Sequence, residues 1–351
     1  MILGKQISVL LITTVVLILG LIITSTPRTE TIYKNSAELY PNIINELDKV
    51  SSIDINGKDK KLSFKKNNDG DWEIISNGSF PAQMNLVNDL LLGVADLKII
   101  EQKTKDPKLY SLLQVDDLKN ENSNAISMIL KDPNDNILVN LLVGKKERQA
   151  IVGSKLEQLY VRKNGDLQSW LVEGFLPISL EFKDWVNQPL IPITANDIRK
   201  IIISNSYSKT PLVIYKENHA GDFYVKEGTD KKPNITAIQQ NNSLVHMLSN
   251  MEYHHVTTYG EVSHHWQPNL KIEIDTIHDF KLKIELAKIK QRICARILAS
   301  FVGDKDAINS ASGNKIDRVN EFSESWIFHI SDDIYNLVNK PQKELVNLLK
   351  T

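Results

Sequence analysis

Five of the eight histidines, His246, His254, His255, His264 and His265, fall within a 20-residue window. Neutral imidazole binds zinc, copper or nickel, and a pair of histidines on each of two short facing strands is a plausible chelate. The spacing of His254-His255 and His264-His265 suits two such strands turning near Gly260. Adjacent strand residues point to opposite faces, however, so at most one histidine of each pair reaches a given site. Glu252 and Glu261 are the only close carboxylates and no cysteine is near, which leaves the third ligand unassigned. A polar, pH-responsive surface is the first reading of this window, and a metal site at His254, His255, His264 and His265 is its alternative. No cofactor is expected.

Nucleophilic chemistry is harder still to place. The single cysteine, Cys294, lies between Ile293 and Ala295, a setting that suits a buried, inert thiol, and no activating partner can be named for it. The chain has no G-x-x-x-x-G-K-[ST] phosphate loop, no G-x-S-x-G elbow and no H-E-x-x-H zinc motif. It is therefore not expected to be an enzyme or to power transport itself. With 42 basic and 43 acidic side chains it has no sequence-wide basic footprint for nucleic acid.

The elements that must carry these residues follow from hydropathy. Ile7 to Thr26 is a continuous apolar run with no formal charge between Lys5 and Arg28. At ~1.5 Å per residue such a helix matches a hydrocarbon core of ~30 Å. Ile7, Leu11, Val15, Leu17, Leu21 and Ile23 sit all around the helix rather than in one stripe, as a membrane anchor requires. The exit Thr24-Ser25-Thr26-Pro27 is a poor cleavage site, so the anchor is expected to be retained. Lys5 and the α-amino group favour a cytoplasmic N-terminus. That places the body in the periplasm of a bacterial inner-membrane protein. One cysteine cannot make an internal disulfide, so that body must be stable through burial alone.

Beyond the anchor (1–27) and a tether with a short helix (28–50), period-two strands alternate with turn signals. Ile53-Asp54-Ile55 and Leu62-Ser63-Phe64 are followed by the turn Asn67-Asn68-Asp69-Gly70, then Asp71-Trp72-Glu73-Ile74. Pro81-Ala82 opens a helix through Leu86, Leu90, Leu91, Val94 and Leu97, and further strand pairs turn at Pro133–Asn136 and Asn164-Gly165. The same order returns later. Ile201-Ile202-Ile203, Leu212-Val213-Ile214 and Gly221-Asp222-Phe223-Tyr224-Val225 echo the first three strands, and Pro233 precedes a second apolar helix. Ser325-Trp326-Ile327-Phe328 answers Ser169-Trp170-Leu171-Val172. The expected fold is α+β: one transmembrane helix, then two tandem modules, 51–195 and 196–351, each an antiparallel sheet with a covering helix. Gly303 to Ser325 is expected to be a long exposed loop.

The first module and its flanks, from Leu39-Tyr40-Pro41 to about Ile203, resemble the domain-of-unknown-function family 4340. The resemblance is carried by Gly70-Asp71-Trp72, Phe80-Pro81-Ala82, Glu101-Gln102-Lys103-Thr104 and Leu109 to Val115. It continues through Leu142-Val143-Gly144-Lys145, Tyr160-Val161-Arg162 and Gln168-Ser169-Trp170-Leu171. One departure is Leu113-Gln114-Val115, where the family more often has a glycine. The resemblance implies a single-span envelope protein encoded beside ABC transporter components related to gliding-motility systems, and it transfers no catalytic residues. Trp72, Pro81, Ala82, Tyr110, Gly144, Tyr160 and Trp170 are expected to act in packing and capping. The expected function is that of a membrane-anchored periplasmic accessory or scaffold protein. Its expected partners are the lipid bilayer and ABC permease or auxiliary subunits, with no nucleic acid. The alternative is a small-ligand or metal-binding module that uses the cleft between the two repeats.

Overall fold

The structure, a computed structural model, describes residues 37–147, 156–218, 221–226, 235–278, 280–301 and 310–349. The anchor residues Ile7, Leu11, Val15, Leu17, Leu21 and Ile23 lie outside the described residues, as does Pro233. Among the described residues no helix is long and apolar enough to cross a membrane.

The fold is α+β with two antiparallel sheets. A 3-10 helix, Ile43–Lys49, precedes β1 (Ser52–Asn56), β2 (Lys61–Lys66), β3 (Trp72–Ile74) and β4 (Phe80–Pro81). Helix α1 (Met84–Ala95) leads to β5 (Lys98–Gln102), β6 (Ile126–Lys131), β7 (Ile137–Lys146), β8 (Glu157–Lys163) and β9 (Ser169–Gly174). The later half holds β10 (Ile198–Asn205), β11 (Leu212–Tyr215), β12 (Tyr224–Val225), α2 (Ile235–Ser249) and β13 (Tyr253–Thr258). It continues with β14 (Leu270–Thr276), β15 (Phe280–Ile289), β16 (Arg292–Phe301), α3 (Ser310–Ser325) and β17 (Trp326–Ile330). Helices α4 (Asp332–Val338) and α5 (Gln342–Leu348) close the described chain. One compact unit takes the residues up to Val50 together with Asp89–Pro177, and the other takes Ser51–Asn88 together with the residues from Ile178 onward.

In the first of these units the strand order is β6-β7-β8-β9-β5. Strands β6 to β9 form a meander whose turns follow from their residues. Asp132 accepts the N–H groups of Asn134 and Asn136 at 2.8 Å each, and Gly165 takes a φ of 93° that favours glycine. The far side of β5 is bordered by the entering chain: the Leu39 N–H bonds Leu97 O and the Ile99 N–H bonds Ala37 O, both at 2.8 Å. Arg162 is buried here. Its Nε donates to Val115 O at 3.0 Å, its Nη1 to Asp166 O at 2.9 Å and its Nη2 to Asp117, and it stacks 4.4 Å over the Tyr110 ring. A guanidinium tied at three points is the usual solution for a buried cation.

In the second unit β1 and β2 pair antiparallel, Ile53 opposite Phe64 and Ile55 opposite Leu62, with all four side chains buried on one face. Asn67 caps the following turn by accepting the N–H groups of Asp69 and Asp71 at 3.0 and 2.9 Å, and the order β4-β3-β2-β1 results. The larger sheet of this unit has the order β12-β11-β10-β14-β15-β16-β17-β13. Its stretch β12-β11-β10 has the order of β3-β2-β1, and its stretch β14-β15-β16-β17-β13 has the order of β6-β7-β8-β9-β5. Helix α2 stands before β13 as α1 stands before β5. The two halves of the chain thus share both sequence order and strand order, including the displaced strand at the end.

Two expectations need correction. Residues 310–325 of the expected loop form α3, because Ile316, Val319, Phe322 and Ser323 return to one side of a helix. The Asn320 side chain bonds both the N–H and the carbonyl of Ala299, at 2.8 and 2.9 Å, which ties α3 to β16. The segment after β13 is not a facing strand. Tyr259–Val262 is one helical turn and Ser263–His265 a 3-10 turn, and Tyr259, Val262 and Trp266 pack on Ala287, Ile289, Cys294 and Ile327. Apolar residues three to four apart favoured a helical cover over a strand.

Candidate functional site

Strands β13, β17 and β16 lie side by side, and their registers align a row of chemically interesting side chains. His255 is opposite His329, and His329 is opposite Cys294. The two imidazole rings meet edge to face, centroids 4.9 Å apart at 78°. Asn77 Nδ2 lies 2.7 Å from His255 Nδ1, and Thr257 Oγ1 lies 2.7 Å from His329 Nε2. Burial, then the neighbouring His255, Arg292 and His254, push the His329 imidazole down to about 4. Burial and Arg292 also lower His255. Both rings are neutral near pH 7. Burial pushes the Cys294 thiol up to about 11, so it stays protonated and is a poor nucleophile.

The other histidines of the 20-residue window are elsewhere on the surface. His254 is exposed on β13, His264 and His265 are exposed on the 3-10 turn, and His246 is exposed on α2. Among the described residues no group of three or more His, Cys, Asp or Glu side chains is placed to hold a metal ion. The residue that sequence reasoning missed is His329. It stands alone between Phe328 and Ile330, and only strand pairing brings it to His255.

The other face of the same strands is aromatic. A register irregularity between Tyr253 and His255 leaves Tyr253 and Val256 on the side of Phe328, opposite to His329. Phe80 lies at the centre, its ring 5.2 Å from Trp326, 5.6 Å from Phe182, 5.7 Å from Phe322 and 6.0 Å from Tyr253. Beside these rings is a cavity of about 460 Å³, bordered also by Pro81, Ala82, Ile297 and Val319 and, at its exposed side, by Asn187, Pro189 and Pro192. Its size falls within the ~300–1,000 Å³ of small-molecule sites.

Of the residues expected to pack or cap, Pro81 and Ala82 border this cavity, and the Ala82 N–H bonds the carbonyl of the wholly buried Trp72 at 2.8 Å. Tyr110 and Tyr160 come together in one cluster with Val115 and Leu171. Tyr110 donates to Leu167 O, and Tyr160 donates to Glu147 beneath the ammonium groups of Lys103 and Lys145. Gly144 passes so close to Leu113 that a Cβ would lie 2.1 Å from its carbonyl oxygen. Trp170 is half-buried on β9.

Residues 72–266, just over half of the chain, match the model of the family described as Domain of unknown function (DUF4340). The chain belongs to this family. The DUF4340 match begins at Trp72 on β3 and ends at Trp266, so it extends beyond Ile203 into the second half and takes in both histidine pairs. It includes Phe80, Pro81, Ala82 and Tyr253 from the cavity, whereas Ile297, Val319, Phe322, Ser323 and Phe328 lie after the DUF4340 boundary. No curated protein and no solved structure matches the chain.

Proposed function

We propose that this DUF4340 protein is a membrane-anchored accessory or scaffold protein without enzymatic activity of its own. In this reading Ile7 to Thr26 tethers it in the bacterial inner membrane, N-terminus in the cytoplasm and body in the periplasm, and the body binds permease or auxiliary subunits of an ABC-type transport or envelope assembly system. The observation that carries the reading is the doubled strand order, which supports an internal duplication and gives the body two broad antiparallel sheets as contact surfaces. The side chains with the most reactive chemistry are engaged internally, His255 with Asn77 and His329 with Thr257, while Cys294 is buried as a neutral thiol. Affinity capture of the tagged full-length chain from membranes in mild detergent should recover permease, ATPase or auxiliary subunits. Recovery of none of these would overturn the proposal.

A second reading, a small-ligand-binding module, is favoured by the cavity beside Phe80. That cavity draws Phe80, Pro81 and Ala82 from the first repeat and Tyr253, Ile297 and Phe328 from the second. Retention of any apolar small molecule by the purified full-length chain, lost when the cavity is filled by Val319→Trp, is the expected result. Absence of such retention would remove this reading.

A further inference from the structure

One end of the first unit carries an apolar tip. Beyond β5 the chain runs through a 3-10 turn, Pro107–Leu109, into one α-helical turn, Tyr110–Leu113, and the turn between β8 and β9 is tied to it. The ties are three. Lys103 N–H bonds Ser169 O and Ser169 N–H bonds Thr104 O, both at 2.9 Å. The Tyr110 hydroxyl donates to Leu167 O, and Arg162 bridges Val115 O and Asp166 O at 3.0 and 2.9 Å. Tyr110, its ring against Arg162, takes the buried side of the helical turn, so Leu109 and Leu112, three positions apart, share the outer side. Leu109 is 43% exposed, Leu112 63% and Leu167 62%. A single exposed leucine is ordinary, but three on segments tied together form a patch.

The entering chain arrives at this same end. Leu39 bonds Leu97 and Ala37 bonds Ile99, so going back from Leu39 to Ala37 advances along β5 towards Gln102, the residue before Lys103. Ten residues, 27–36, separate Thr26 from Ala37. A chain of ten residues reaches at most about 35 Å, so Ala37 stays within that distance of the point where the apolar run ends. Charge neither draws the tip to a headgroup layer nor repels it, because residues 104–117 and 162–168 hold four basic and four acidic side chains. Lys105 and Lys108, both exposed, flank Leu109, and lysine stems lie along apolar surface while their ammonium groups stay in water or at phosphates.

We propose that this tip is a lipid-contact surface: Leu109, Leu112 and Leu167 enter the boundary between headgroups and acyl chains of the bilayer that holds the anchor. The proposal rests on the anchor reading above and adds the face of the body that meets the membrane. Burial of leucine side chains drives the contact, so it needs no anionic lipid and no partner protein. The anchor and the tip then hold the first unit at two places, which fixes its tilt on the membrane as a single flexible attachment cannot.

The test uses the full-length chain reconstituted in vesicles of phosphatidylcholine alone, with a polarity-sensitive fluorophore on one introduced thiol. The labelled variants are Leu112→Cys, Leu167→Cys and, as the reference, Leu156→Cys. Leu156 is also exposed but precedes β8 at the opposite end, where Glu157 faces Gly174. The native Cys294 is buried and protonated and stays unlabelled. A lipid spin-labelled high on its acyl chain quenches a fluorophore that enters the bilayer. Quenching at positions 112 and 167 should exceed that at 156 by at least about threefold and should persist at high salt. A fluorophore at Ser111→Cys should lose most of its quenching when Leu112→Asp and Leu167→Asp are added, both at exposed positions that the core does not need. Equal quenching at 112, 167 and 156, in a chain that floats with the vesicles, would overturn the lipid contact and leave the anchor standing. Quenching abolished by salt would overturn the apolar basis of the contact. A chain that does not float with the vesicles would overturn the anchor reading and this inference with it.

Discussion

Gln188 closes the outer edge of β13 by using its side chain as a strand: its amide exchanges two hydrogen bonds with the backbone of Tyr253, one in each direction, at 2.7 and 3.2 Å. The next backbone bond, from the Leu190 N–H to Met251 O at 2.7 Å, holds the same segment in place. An unpaired strand edge is a template for another chain, and a side-chain amide occupies it without extending the sheet.

Removing that amide should have two effects. Gln188→Leu leaves the buried Tyr253 N–H and carbonyl without partners and should destabilise the body by about 1–3 kcal/mol. It should also raise self-association, because the freed edge accepts a second copy. Chemical denaturation and light scattering read the two effects separately. A variant as stable and as monodisperse as the unmodified protein would contradict the edge-closing role.

The neutral imidazole of His329 makes stability depend on pH in a defined direction. Its folded value of about 4 lies below the ordinary 6.5, so the unfolded chain binds the proton more tightly. Stability from this group is complete above about pH 6.5 and is lost as pH falls towards 4, by up to about 3 kcal/mol. Carboxylates titrate in part of the same range, so the informative quantity is the difference from His329→Gln, whose Nε2 can still reach Thr257. Urea midpoints should converge between the two proteins as pH falls from 7 to 4. A gap that stays constant would show that the ring does not titrate in this way.

Glycine 144 tests close packing against local strain. Gly144→Ala would drive a Cβ to 2.1 Å from Leu113 O and 2.8 Å from Val115 Cγ1. The opposing oxygen is backbone and cannot swing aside, so a loss of about 3 kcal/mol is expected. Gly165→Ala is the matched control, with open space around it but a φ of 93°, and should cost only about 1 kcal/mol. Thermal denaturation that ranks the two in the reverse order would contradict the packing argument.

The proposed anchor is tested by charge. Val15→Lys with Leu17→Lys puts two ammonium groups near mid-span at about 2.5–3.5 kcal/mol each on the insertion scale. The double variant should leave the membrane fraction and remain in the soluble cytoplasm, as read by fractionation and a C-terminal phosphatase fusion. Persistence in the membrane fraction with an active phosphatase would count against Ile7 to Thr26 as the span.

Much of this fold was legible because strands announce themselves twice, by alternation and by their turns. Ile53-Asp54-Ile55 and Leu62-Ser63-Phe64 are half-buried period-two runs, and Asn67 to Gly70 after β2, like Asn164-Gly165 after β8, supplies residues suited to tight turns. Helix α3 was not legible, since its inward side carries Asn320, tied to Ala299, and the buried Ser323, polar residues that hydropathy assigns to solvent. The histidine window drew attention to neighbours in sequence, whereas the contact that exists, His255 with His329, spans 74 positions and needs strand pairing to be seen. The cavity was equally hidden, because Phe80, Gln188, Tyr253 and Phe322 share no local pattern.

The displaced terminal strand has a consequence for how the chain matures. Strand β13 takes its ladder from β17, although β14, β15 and β16 are all made in between. While the polypeptide emerges from its N-terminal end, Tyr253–Thr258 has no strand to pair with in this ladder until Trp326–Ile330 has followed it. The rest of the larger sheet can zip sequentially from β14 through β16, but its last seam is a long-range closure with a high entropic threshold. A nascent body stalled before residue 326 would leave the backbone of β13 unpaired on its β17 side, which makes this interval the one at which a folding helper or a fast final release matters most.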